Sequence, residues 1–406
     1  MKKHNIIAMA LTSLMALPVI AQDSTPAVGD ILQGINMFTP EEGDPAYKVK
    51  ANEKYGTQWG VDMAYGLWNT EKVSDVKRHN NLALLHAQLN QRLIEDKANG
   101  GTWLRVEFSG SWGLDRESAQ SDTFFTEAYA TASGLHADAM GPHEGIFPEV
   151  ALMQYFAGKR ACLIAGMVNL TNYFDAVSIA NDSFSSFTND GFVNSTILPL
   201  VDSNIGGILQ VELNRNNYMM VAVSRTGCDS GYNPFNSDYC DGYAVVGEYG
   251  HIFADGAATL RINPFYTSTD VDMDDGTGER RRQNAGLVAS IEYTPCDPLT
   301  IYSRAGFAAK QYLSNSAEFS VGANIKLFPS REDDFLGISY GVFKGQTPPC
   351  DGERAEHNRE QVLEVMYSFQ VNDYFKVVPH FQYIANPAYS TSSENILWGV
   401  QAVFSF

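Results

Sequence analysis

Apolar and polar residues alternate with a period of two along many stretches of this chain, most cleanly at the C-terminus. Over 396–406, Ile396, Trp398, Val400, Ala402, Phe404 and Phe406 share one face, and Gly399, Gln401, Val403 and Ser405 share the other. A wholly apolar face opposite a mostly small or polar one predicts a β-strand with one hydrocarbon-like side. The alternation recurs over 375–383, 284–293 and 258–266, and over 317–327, where Phe319, Val321 and Ala323 oppose Glu318, Ser320 and Asn324. Half-buried strands of a soluble sandwich alternate too, so the period alone does not choose between architectures.

The spacing of the strands does. Counting back from Phe406, short turns fall near 371–373, 330–334, 294–298, 254–256, 214–216, 158–159 and 95–101. Between them lie mostly longer links, near 385–394, 345–357, 267–283, 226–242, 170–203, 113–146 and 69–79, with a short one near 310–315. Tight turns on one rim and long loops on the other are the layout of a bacterial membrane barrel. The count comes to about sixteen strands, enough to surround a water-filled lumen whose wall is polar throughout. Aromatic residues gather at strand ends (Tyr293, Phe328, Tyr374, Trp398, Phe406), as interfacial girdles require. The predicted fold class is all-β: a transmembrane antiparallel β-barrel.

The N-terminus sets the compartment. Lys2 and Lys3 precede an apolar stretch at 6–20 and a cleavage-like Val19-Ile20-Ala21, so 1–21 reads as a cleaved export signal. Residues 22–57 are left as a periplasmic or lumenal segment, and 58–406 are assigned to the barrel. No later window approaches the ~20 apolar residues that a spanning helix needs. Removing Lys2 and Lys3 takes the net charge from −19 to −21, which weighs against nucleic acid or anionic lipid as partners.

Five cysteines in an exported chain meet an oxidising environment. Cys228 and Cys240 bracket the polar DSGYNPFNSDY and are expected to close that loop as a disulfide worth ~3 kcal/mol. Cys162, Cys296 and Cys350 carry no assigned chemistry. The acidic DVDMDDGTGE at 270–279 lacks the Gly and Glu that a calcium loop needs at its sixth and twelfth positions, where Asp275 and Arg281 stand. No GxSxG, HExxH or closely spaced Cys/His set occurs. Neither an enzyme nor a metal site is expected.

The segment FQYIANP at 381–387, with the final ILWGVQAVFSF, resembles the C-terminal end of the OprB-type carbohydrate-selective porins through Gln382, Tyr383, Ile384, Asn386, Pro387 and Gly399. Gly166, Phe174, Asp175, Asn181 and Phe187 fit that family's strand and long third loop; Glu364, Tyr367 and Phe369 fit its penultimate hairpin. The resemblance covers roughly 58–406. It implies an outer-membrane barrel through which glucose-like mono- and oligosaccharides diffuse passively, without a cofactor, past a third loop folded into the lumen. The implied partners are small sugars, outer-membrane lipid and the barrel-assembly machinery that reads the strand ending in Phe406; association of three barrels stays open. So do a general or cation-preferring pore and a plugged structural or enzymatic barrel.

A neutral sugar must exchange water hydrogen bonds for protein ones and still leave, so charged bidentate groups and an aromatic face are the side chains to seek. On 102–112, Trp103, Arg105 and Glu107 oppose Leu104, Val106 and Phe108 and are expected to point inward. On 82–93, His86, Gln88, Asn90 and Arg92 do the same. Arg215, Arg225, Arg261 and Arg304 are candidates for an inward basic ladder, and Asp175, Asp182, Phe184, Phe187 and Asp190 for the loop's contribution. The narrow zone is expected where the long loop meets Arg105 and Glu107.

Overall fold

The computed structural model describes residues 45–70, 79–114, 131–137, 143–226, 242–253, 256–272, 280–309, 315–345, 356–389 and 391–406. The export signal, the Cys228–Cys240 pair, Cys350 and the Asp274-Asp275 acidic stretch lie outside these residues.

A closed barrel of sixteen strands follows a short helix, α1 (Ala46–Tyr55). The first eight are β1 (Thr57–Thr70), β2 (His79–Ile94), β3 (Thr102–Gly113), β4 (His143–Phe156), β5 (Ala161–Val168), β6 (Asn204–Asn214), β7 (Asn217–Thr226) and β8 (Gly242–Phe253). The rest are β9 (Ala258–Asp272), β10 (Arg280–Cys296), β11 (Leu299–Ala308), β12 (Asn315–Ile325), β13 (Phe335–Gly345), β14 (Glu360–Asn372), β15 (Phe375–Ala385) and β16 (Glu394–Ser405). Each strand pairs antiparallel with its sequence neighbours, and β1 meets β16 with Asp62 opposite Ser405. Closure satisfies the peptide groups of both edges, which hydrocarbon would leave unpaired. Among the described residues no helix is long and apolar enough to cross a membrane.

The predicted turns fall where expected, with one displacement. β12 stops at Ile325, and 326–334 form a longer turn. Asp334 holds that turn against β14, accepting from Gln370 N at 2.9 Å, Tyr367 Oη at 3.1 Å and Arg331 Nη2 at 3.0 Å. Hydrogen bonding to Arg331 keeps the Asp334 carboxyl below its ordinary value.

The two faces of the wall follow the alternation. Met63, Tyr65 and Leu67 on β1, Phe147 and Leu152 on β4, and Met219, Val221 and Val223 on β7 point outward and stay exposed. Trp398 keeps 51 % of its surface, which a soluble sheet would cover with a second layer.

The inward face departs from expectation, because it is not polar throughout. The third outer loop, 169–203, folds into the lumen. Its Leu170, Tyr173, Phe174 and Ile197 pack on inward-facing Met153, Ile164, Ile208, Met220 and Val246. Further along, its Val177, Phe187 and Phe192 pack on Trp68, Tyr302, Phe343 and Val378, together with Ala132 and Leu135 of the second loop. A long loop ordered inside a barrel needs apolar burial to offset its lost chain entropy, and the wall residues it meets are apolar for that reason. Alternation separates lumen from lipid; it does not separate wet lumen from dry.

Candidate functional site

Carboxylates on the inward face hold the third loop by its peptide groups. Glu364 on β14 accepts from Thr188 N at 2.9 Å, Thr188 Oγ1 at 3.0 Å and Asn189 N at 3.0 Å. Glu318 on β12 accepts from Thr196 N at 3.1 Å and from Ser195 Oγ. Glu248 on β8 takes Asp175 N at 2.9 Å, and Glu292 on β10 takes Ser178 N at 3.1 Å. Glu360 on β14 does the same for the second loop, accepting Ala132 N at 2.7 Å and Ser133 N at 3.0 Å. Charge-assisted bonds of this kind are about twice as strong as neutral ones, so the loop is clamped from several strands at once.

The loop's α-helical turn, α2 (Asp190–Val193), is seated by Arg304 on β11. Its guanidinium donates to the carbonyls of Gly191 at 3.2 Å, Phe192 at 3.1 Å and Val193 at 3.3 Å. Gly191 is required by close approach, since a Cβ there would stand 2.5 Å from the Phe343 ring.

Where the loop turns toward β2 and β3 it leaves a polar cavity of about 240 Å³, lined among others by His86, Glu107, Asn172, Asp182, Asp190 and Asn194. His86 Nε2 lies 2.5 Å from Glu107 Oε1. The other Glu107 oxygen accepts from Asn172 Nδ2 at 2.6 Å. Facing them, Asp182 accepts from Phe184 N at 2.9 Å, and Asn194 Nδ2 donates to Asn181 Oδ1 at 2.9 Å. Phe184 lines the same cavity with its ring 6.3 Å from His86. Asp202 closes another side, its carboxyl raised by burial. The lining therefore carries four carboxylates and one imidazole as its ionisable groups.

The candidate residues sort into three groups. His86, Glu107, Asp182, Phe184 and Asp190 line the cavity. Arg105 stands behind it, its Nε 3.0 Å from Glu149 Oε2, while Asn172 and Tyr173 also donate to Glu149. Trp103 and Arg92 pair nearer the short-turn rim, with the guanidinium 5.8 Å from the indole centre and Trp103 Nε1 donating to Gly100 O at 2.9 Å. Asp175 and Phe187 of the loop and Arg304 of the wall are buried where the two meet, Phe187 between Phe192 at 5.9 Å and Tyr302 at 6.4 Å.

The inward basic ladder is not present as expected. Arg215 sits exposed in the turn between β6 and β7, and Arg225 shares the outward register of Val221 and Val223. Arg261 faces inward but lies 3.4 Å from Glu292, and Arg304 is consumed by Asp175 and α2. Among the described residues Arg105, Arg261 and Arg304 each meet a carboxylate, because an unpaired buried guanidinium is too costly to keep, while Arg92 lies against the Trp103 ring. Asn172 and Asn194 were not singled out from sequence, and Asn181 only as a motif position of the long loop; an asparagine-rich loop is an ordinary turn signal and does not by itself mark a lining.

Residues 121–406 match the family described as carbohydrate-selective porin, OprB family. Among solved structures, the high-pH form of Pseudomonas putida OprB is 14% identical with a TM-score of 0.69, over 91% of this chain and 100% of that one. Its low-pH form is 12% identical with a TM-score of 0.53, over 91% and 100%. A loop-L8 deletion mutant of Vibrio cholerae OmpT is 11% identical with a TM-score of 0.52, over 86% and 99%. At these identities the likeness is one of fold. No curated protein sequence matches the chain.

Proposed function

The chain belongs to the OprB family of carbohydrate-selective porins, and we propose that its sugar path narrows at the cavity between the third loop and β2–β3. As a porin of the bacterial outer membrane it passes small carbohydrates by diffusion, and its task is to be selective without holding on. The observation that carries the proposal is the lining itself. Carboxylates of Glu107, Asp182 and Asp190, amides of Asn172 and Asn194, and the His86 ring ring one polar space beside a phenyl face.

Each of these groups suits a hydroxyl-rich, uncharged solute. A carboxylate accepts from two adjacent hydroxyls, an amide both donates and accepts, and Phe184 offers its face to pyranose C–H groups. Each exchange of a water hydrogen bond for a protein one nets only about 1 kcal/mol, so the sugar is recognised and still released. Arg105 acts from behind: its pair with Glu149 fixes Asn172 and Tyr173, and through Asn172 it orients Glu107. It is a positioning residue rather than a lining one.

The same four carboxylates, against one imidazole, favour a second property, a preference for cations over anions in the ionic current. Single-channel recording in planar bilayers tests both. Glucose and maltooligosaccharides should interrupt the current of the wild-type pore, and Glu107→Gln should shorten the interruptions. Equal block in both would remove Glu107 from the sugar path.

A further inference from the structure

The barrel seam leaves a step at the short-turn rim. Val61 and Phe406 form the last rung between β1 and β16, exchanging bonds of 3.0 and 2.9 Å, and β1 continues downward to Thr57 with no β16 partner. α1 folds back into this step. It ends on Gly56, whose φ of +64° turns the chain directly into β1. Asn52 Oδ1 accepts from Gln58 Nε2 at 3.3 Å. The Tyr47 ring stacks on Trp59 at 6.1 Å, and Lys48 Nζ stands 4.7 Å over the same indole.

Trp59 puts the Tyr47 and Lys48 end of α1 on the outer side of the wall, while Gln58, which Asn52 meets, has the inward register. Trp59 shares the outward register of Met63, Tyr65 and Leu67, so its ring faces lipid at the periplasmic end of β1. Beside it, Tyr374 and Phe406 stack at 6.1 Å and continue an aromatic girdle along the rim. α1 is therefore placed at headgroup depth, where amphipathic rings and lysines settle together. Tyr47 and Tyr55 remain 56% and 60% exposed. The helix AYKVKANEKY carries Lys48, Lys50 and Lys54 against Glu53 alone. Among the described residues none of these lysines forms an ion pair with a carboxylate.

We propose that α1 is an interfacial anchor whose lysines bind the phosphates of anionic phospholipid in the periplasmic leaflet. The acidic net charge, which weighed against such a partner, does not bear on it. Charges farther away than a Debye length, about 8 Å in physiological salt, are screened, and the potential that a headgroup meets at this rim is set by the helix. Three basic groups without carboxylate partners among the described residues, held at a fixed depth in a chain of net charge −19, are matched by a ligand that is anionic and confined to that depth.

The test uses the folded protein in nanodiscs of equal phosphatidylglycerol and phosphatidylcholine, with retained lipids counted by native mass spectrometry. The wild type should retain phosphatidylglycerol preferentially. K48A/K50A/K54A should lose that preference, at about fivefold per lysine. Equal retention of both lipids by the wild type, or a preference that survives the triple substitution, would overturn the proposal. A second measurement needs no variant. Acylation of Lys50 and Lys54 in the wild type should be slower in phosphatidylglycerol than in phosphatidylcholine discs, and equal rates would equally overturn it. Protection in both lipids alike would instead point to an acidic protein segment as the occupant.

Discussion

Arg304 on β11 and Asp175 at the start of the third loop form an ion pair at 2.8 Å from which solvent is wholly excluded. The same guanidinium closes the carbonyl end of α2, while Asp175 Oδ2 accepts Ser195 N at 2.8 Å. One wall residue thus ties the start of the loop to its 191–195 stretch. Truncating one partner of a buried pair strands the other charge and costs about 3–5 kcal/mol. Arg304→Ala should therefore free the α2 stretch of the loop from the wall while the barrel stays closed. The expected result is a larger single-channel conductance and faster entry of longer oligosaccharides in liposome swelling. Unchanged conductance would show that Arg304 does not hold the loop in place.

The acidic lining makes a separate prediction. Removing charge at the cavity in Asp182→Asn/Asp190→Asn should move the reversal potential in a salt gradient toward that of a non-selective pore. Each neutralisation should cut the cation-to-anion permeability ratio severalfold, since a carboxylate in a narrow lumen is less screened than one on a surface. A reversal potential identical to wild type would locate the narrow zone elsewhere.

His136 in the second loop provides a pH dependence. Burial, with Trp68 edge-on at 5.3 Å, pushes its imidazole down to about 3, and His380 adds to the shift. A released loop would carry His136 at about 6.5. Between these values the packed form binds fewer protons than the released one. The packing is therefore fully stable above pH 6.5 and loses up to about 1.4 kcal/mol per pH unit as pH falls below it. Hydrogen-exchange protection over 131–137, corrected for intrinsic rates, should fall from pH 7 to pH 5. His136→Asn should flatten that slope. A wild-type slope no steeper than the variant's would show that the imidazole is not held neutral.

The lipid-facing assignment is tested by placing a charge on each face. Val221→Arg, on the outward register of β7, should cost about 2–4 kcal/mol and lower the refolded fraction seen as heat-modifiable gel mobility. Gln88→Arg, on the inward and only half-buried register of β2, should refold like wild type. Equal yields from the two would contradict the assignment of faces.

How far the site was legible from sequence differs residue by residue. His86 and Glu107 were placed inward because 82–93 and 102–112 alternate strictly, and parity is a local property. Their approach to 2.5 Å depends on the register between β2 and β3, where Gln88 stands opposite Glu107 and His86 opposite Ser109. Arg304 and Arg261 had the right parity for the lumen, yet their partners Asp175 and Glu292 lie far away along the chain. Phe187 and Asp175 occupy motif positions of the long loop, and the structure places both in packing rather than in the lining.

Alternation of side chains, the rhythm of turns and the aromatic ending are written within ten or so residues of one another, so the chain itself decided that there would be a closed barrel with a lipid face and a lumen face. Which inward residues meet water and which meet protein depended on where residues 169–203 came to rest, and that is a matter of contacts between segments far apart in sequence. A loop packed against a wall turns part of a nominally wet surface into dry core and converts lumen arginines and glutamates into fastenings. Only the assembled structure decides which polar groups stay uncovered in the lumen.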